Sequence, residues 1–137
     1  MIYKLYKIES FFYKIKLIPC AFIIRLLMRI IFSCDISYKC KIGKNCEFPH
    51  HALGCVIHPN AIIGNNCKIL HSVTIGGKTG CKHLPIIGDN VLIGANSVIL
   101  GAVKIGNNSI IGAGSVVLHD VQKNDIVAGN PAKSIKK

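Results

Sequence analysis

The sequence predicts an all-β chain: a parallel β-helix of six-residue repeats, entered through a short helical prefix. Three observations carry this expectation. An aliphatic residue recurs at every sixth position from Ile57 to Ile75 and again from Ile87 to Val117. Read backwards, the same six-residue spacing joins Phe48, Ile42 and Ile36, with Phe48 set nine residues before Ile57. The beat breaks twice, around Gly54–Val56 and between Gly76 and Ile86. Residues 1–33 stand outside it and place apolar side chains at helical spacing. A fixed internal period of this kind decides the architecture ahead of any local propensity.

Taken in order, residues 1–33 read as two helices. KLYKIESFFYKIKLIP and CAFIIRLLMRIIF are separated near Pro19, which suits the first turn of the second helix. Arg25 and Arg29 lie four apart on one side of it. The apolar run between charges is too short to span a bilayer, and no small-residue cleavage site follows it. Two readings remain: a helical cap on the repeat domain or on a neighbouring subunit, which is preferred, and an interfacial membrane anchor.

From residue 34 to 122 the hexad governs. Its first residue is Ile, its second usually Gly, its third and fourth commonly Asn, Asp or Lys, and its fifth small or β-branched. Ile and Val suit a short strand with one side chain turned into a core. Gly followed by Asn is expected to supply the positive-φ corner that turns the chain between strands. Three faces make a triangular turn of about 18 residues, and stacked turns form a continuous aliphatic ladder. The two interruptions are then a bulge just after His50-His51 and an excursion loop over 76–86. Function in a repeat protein gathers where the pattern breaks. Asn-Pro ends the repeat, and 123–137 reads as a basic tail.

Composition narrows the partners. The 137 residues carry a formal charge of +11, of which +5 falls in the first 33 residues and +6 in the remainder. No dense basic run occurs and basic residues do not interleave with aromatics, so nucleic acid is not expected. An anionic ligand or surface, such as a phosphorylated cofactor or acidic lipid, fits the charge better. The seven cysteines form no CxxC pair. Cys40, Cys46 and Cys67 occupy the hexad position where other repeats place Ala, Val or Ser, and read as small core residues in a reducing compartment; no metal site is expected.

With the hexads, HHALGCVIH, TIGG, the His83 loop and AGNPAK in view, the chain resembles the hexapeptide-repeat acyltransferases, and most specifically the serine acetyltransferase family. Cys34–Ala52 and Thr74–Lys133 carry the specific likeness. The resemblance implies a left-handed β-helix and a homotrimer with sites between subunits. It further implies acetyl-CoA as co-substrate, a cytoplasmic location and a small hydroxyl acceptor. His51 aligns with the family's catalytic base and Asp35 with the carboxylate that orients it. His83, in KHLP, corresponds to a loop histidine that meets the acceptor. Two positions depart from the family: His50 stands where an Asp precedes the base, and Lys82 replaces a carboxylate-binding Arg. Both would bind substrate, although lysine lacks the bidentate fork of arginine. Coenzyme A would lie along a groove lined by Gly76, Gly77, Ala95 and Ala113, with Lys133 and, more weakly, Lys136 at its phosphates.

Three functions follow in order of preference. The first is an acetyl-CoA-dependent O-acetyltransferase acting on L-serine. The second is an O-acetyltransferase of a surface-polysaccharide sugar, which Lys82 and His50 favour. The third, of another class, is a catalytically silent hexapeptide scaffold, against which His51, Asp35 and His83 speak. Histidine is the natural base near neutral pH, and a carboxylate on one imidazole nitrogen would leave the other free to accept a proton.

Overall fold

The computed structural model describes residues 1–135. Its first two elements are helices α1 (Ile2–Lys14) and α2 (Ile18–Phe32), the second with Pro19 in its first turn. Everything after them is a parallel β-helix with three walls. The first wall stacks β1 (Asp35–Ile36), β3 (Val56–Ile57), β6 (Thr74–Gly76), β9 (Val98–Leu100) and β12 (Val116–Val117). The second stacks β2 (Lys41–Ile42), β4 (Ile62–Ile63), β7 (Ile86–Ile87) and β10 (Lys104–Ile105). The third holds β5 (Lys68–Ile69), β8 (Leu92–Ile93), β11 (Ile110–Ile111), β13 (Ile126–Ala128) and β14 (Lys133–Ser134).

Each two-residue parallel strand turns its second residue inward, so the hexad aliphatics form three interior ladders. Ile36, Ile57, Ile75, Ile99 and Val117 fill the first, and all are buried. Full burial of one such side chain contributes about 1.5–3 kcal/mol, so the ladder is the main source of stability. Cys40, Cys46 and Cys67 are buried free thiols within this interior, as their place in the repeat predicts.

The corners work differently from the expectation. Positive φ falls on the fourth residue of the hexad, at Asn45, Asn66, Asn90, Asn96, Asn108 and Asn124, whereas the hexad Gly keeps ordinary φ. Asparagine tolerates the left-handed region because its short amide bonds locally. Here the amides also join coil to coil: Asn45 Nδ2 donates to Asn66 Oδ1 at 3.3 Å, Asn66 to Asn90 at 3.2 Å, and Asn90 to Asn108 at 3.0 Å.

Asp35, Val56, Thr74, Val98 and Val116 stand in register on the first wall, so successive coils take 21, 18, 24 and 18 residues. The two long coils hold the two interruptions. The first excess lies one step earlier than expected: Val56 already belongs to β3, and the extra residues form a short 3-10 turn over Pro49–Ala52 that contains His50 and His51. The second is the loop between β6 and β7. At the far end, the stretch expected as a tail contributes β13, parallel to β11, and β14, antiparallel to β13. The chain therefore folds back on its last coil, which gives the third wall a paired end.

α1 covers the other end. Ile2 and Tyr6 are buried, and the Tyr6 hydroxyl donates to the Cys40 carbonyl at 2.8 Å while accepting from the Ile42 N–H at 3.1 Å. Tyr3 adds a bond to the Gly43 carbonyl at 2.7 Å. These hydroxyls satisfy backbone groups of the first coil that have no coil beneath them.

Candidate active site

His51 sits on the corner between the third and first walls. That corner is held by three consecutive left-handed residues, His50 (φ 53°), His51 (φ 55°) and Ala52 (φ 55°). Such a run is costly for non-glycine residues and persists only where the surroundings over-determine it. The surroundings do so here. Ala52 is fully buried and its carbonyl accepts the Cys55 N–H at 2.8 Å. The Gly54 N–H donates to Ser33 O at 2.9 Å, and the Ser72 N–H donates to Leu53 O at 2.7 Å. The turn is thus pinned from below and above, and both imidazoles are pushed outward and exposed.

The His51 ring lies 5.6 Å from the ring of Phe32, the last residue of α2. The His50 ring instead meets His71 edge-on at 5.3 Å. His71 occupies the same corner one coil further on, and among the described residues its buried Nδ1 has no hydrogen-bond partner. Nothing in the repeat pattern singles out His71; its place one coil above His50 emerges only from the 21- and 18-residue lengths of the coils.

The same corner continues up the helix. The Asn96 N–H donates to His71 O at 3.1 Å, and the Gly114 N–H donates to Ala95 O at 2.8 Å. His51, His71, Ala95 and Ala113 therefore form one column along a single edge, with exposed Lys133 in β14 beyond the last full corner. Gly76, Gly77, Lys82 and His83 belong to the next edge, between the first and second walls. There Lys82 and His83 are exposed, and His83 lines a depression of 290 Å³ with Leu84, Ile86 and Ala102. Within one chain the first wall separates the His51 edge from the His83 edge. Lys136 lies outside the described residues.

Asp35 does not meet the expectation in the isolated chain. It enters the first wall directly below Val56, but among the described residues no hydrogen bond joins it to His51. Its Oδ1 accepts from Arg25 Nε at 2.8 Å and lies 2.7 Å from a terminal nitrogen of the same guanidinium, while Oδ2 is 3.9 Å from Arg29 Nε. The reason is positional. The two arginines project from α2 on the side that abuts β1, so they reach the carboxylate before the histidine corner does. The four-residue spacing of Arg25 and Arg29 is the only trace of this pair in the sequence.

Behind the pair lies Glu9 of α1, fully buried, with neither carboxylate oxygen hydrogen-bonded among the described residues. Burial pushes it up from 4.5 to about 8; Arg25 pulls the other way, and Asp35 adds a smaller upward push. The folded protein thus holds this proton where an unfolded chain has released it. The stability it contributes is full below about pH 4.5 and is lost as pH rises through about 8. Thermal unfolding across that window should show a declining midpoint for wild type. Glu9→Gln, which cannot ionise, should remove that part of the decline; identical pH profiles for the two would refute the buried proton.

Three comparisons bear on what this arrangement is. The family model described as Bacterial transferase hexapeptide (six repeats) matches residues 85–119. Serine acetyltransferase 5 of Arabidopsis thaliana is 48% identical over 120 residues, covering 85% of this chain and 38% of the relative. Among solved structures, soybean serine acetyltransferase complexed with serine superposes with a TM-score of 0.89 at 40% identity, over 98% of this chain and 56% of that one. A serine acetyltransferase complexed with CoA also gives 0.89, at 32% identity over 98% and 55%. The chain thus spans roughly a third to a half of the length of these proteins. Hexad, walls, corner histidines and likenesses agree: the chain is a hexapeptide-repeat protein, and its β-helix is similar to that of the serine acetyltransferases.

Proposed function

We propose that the protein is an acetyl-CoA-dependent O-acetyltransferase, with L-serine as its acceptor. The observation that carries the reading is His51. Its imidazole is held outward on a rigid left-handed corner, on the same edge as the small residues Ala95 and Ala113, which leave room for a pantetheine arm. In the reaction, His51 takes the proton of the acceptor hydroxyl. The oxygen attacks the thioester carbonyl, the new C–O bond forms and the C–S bond breaks. The imidazolium then returns the proton to the departing thiolate, giving free coenzyme A. Lys133 supplies a cation for the cofactor's phosphates, and Gly76 and Gly77 keep the second edge open to close approach.

Since one chain keeps His51 and His83 on different edges, a complete site needs the His83 edge of a second copy laid against the His51 edge of the first. A cyclic homotrimer of three-walled prisms meets this requirement in a closed assembly. In that setting Asp35 would have to release one oxygen from its arginines to orient His51, and Oδ2, 3.9 Å from Arg29, is the available one.

The alternative acceptor, a saccharide hydroxyl, is favoured by Lys82, which offers a point charge where a carboxylate-reading site wants a fork. Release of free thiol from acetyl-CoA separates the two. Serine-dependent release is the expected result, and turnover with saccharides but none at any serine concentration would overturn the serine assignment.

A further inference from the structure

Among the described residues, one large apolar face stays uncovered. α2 buries Ala21 and Met28 and packs Ile24 and Phe32 against the core. Its opposite side presents Phe22 (56% exposed), Ile23 (54%), Leu26 (43%), Leu27 (48%), Ile30 (69%) and Ile31 (63%). Soluble monomers rarely carry so contiguous an apolar patch without using it. The turn joining the helices extends the face, because Ile15, Leu17 and Ile18 are exposed too and alternate there with Lys14 and Lys16.

We propose that this face seats the protein on an anionic lipid surface, with α2 lying in the plane of the interface. Charge decides between lipid and a second copy of the chain. Residues 1–33 carry six cations; Arg25 and, more distantly, Arg29 face Asp35, which leaves Lys4, Lys7, Lys14 and Lys16 without a salt bridge among the described residues, and Glu9 is buried away from the face. Arg29, with 59% of its side chain exposed, flanks the apolar stripe, and Lys14 and Lys16 mark its end. A second copy packed face to face through α2 would bring these cations against their own kind. Phosphate headgroups would neutralise them while the acyl boundary takes up Phe22, Leu26 and Ile30, the division of labour of an interfacial amphipathic helix. Neither helix is long and apolar enough to cross a membrane, so the seat is peripheral. α2 ends at Phe32 beside His51, so the seat and the candidate base share one end of the molecule.

Flotation of the full chain with vesicles tests this. Phosphatidylcholine vesicles containing about 30 mol% phosphatidylglycerol should bind at least about tenfold better than phosphatidylcholine alone, and binding should fall about tenfold between about 0.1 and about 0.5 M salt. The double substitution Leu26→Glu/Ile30→Glu should abolish binding without moving the unfolding midpoint, because both side chains point outward. Equal binding to both vesicles, no binding, or unchanged binding of the double variant would overturn the proposal. So would a vesicle-free oligomer that the double variant dissociates, with no lipid binding by wild type; the face would then join copies. If the variant fails to fold, the wild-type lipid and salt dependence still decides.

Discussion

Replacing His51 should lower kcat by about 10²–10⁴-fold, the range that one positioned general base contributes. His51→Asn is the cleaner substitution. Asparagine accepts the left-handed φ of 55° that the corner demands, so the fold is kept while the proton acceptor is lost. The measurement is thiol release from acetyl-CoA at saturating acceptor, beside calorimetric binding of coenzyme A, which should persist because Ala95, Ala113 and Lys133 are untouched. Full activity in the variant would remove His51 as the base. His50→Asn is the internal control. His50 shares the corner and its strain, but its ring turns to His71 and not toward Phe32, so its loss should cost far less.

A large loss of stability is expected from a single methyl group at Gly64. A Cβ there would stand 2.5 Å from the carbonyl oxygen and 2.6 Å from the carbonyl carbon of Gly88 in the next coil, and it would also strike Asp89 Oδ1. Neighbouring coils are locked at hydrogen-bond spacing, with Gly64 N–H on Ile87 O at 2.9 Å, so backbone must move for the methyl to fit. Gly64→Ala should therefore cost about 3 kcal/mol, the upper end of ordinary overpacking. Gly114→Ala provides the contrast. That glycine has φ +68°, and a methyl group on it would meet nothing within 4 Å, so only the left-handed penalty of about 1–2 kcal/mol applies. Denaturant midpoints for the pair test the distinction, and equal losses would show that coil spacing is not what excludes a side chain at Gly64.

The corner glycines and asparagines also show how far local pattern reaches. Ile-Gly-Asn-Asn announces a corner, but it does not divide the work within it. Positive φ falls to the asparagine at the fourth position and close approach to the glycine, because only stacking another coil on top creates the crowding. The site is legible in a similar measure. His51 and His83 stand out because they fall where a strict period fails. That Asp35 is held by Arg25, that Glu9 lies buried behind them, and that His71 meets His50 depend on contacts between residues 10, 16 and 21 positions apart.

The β-helix, its inward ladder and the location of both interruptions can be read from the chain before it folds. A six-residue period is local information, and every repeat restates it. Which histidines share an edge, which carboxylate meets which cation, and which face of α2 is left bare are settled only by packing. Those outcomes depend on how many residues each coil consumes and on where α2 abuts the first wall, and the hexad encodes neither.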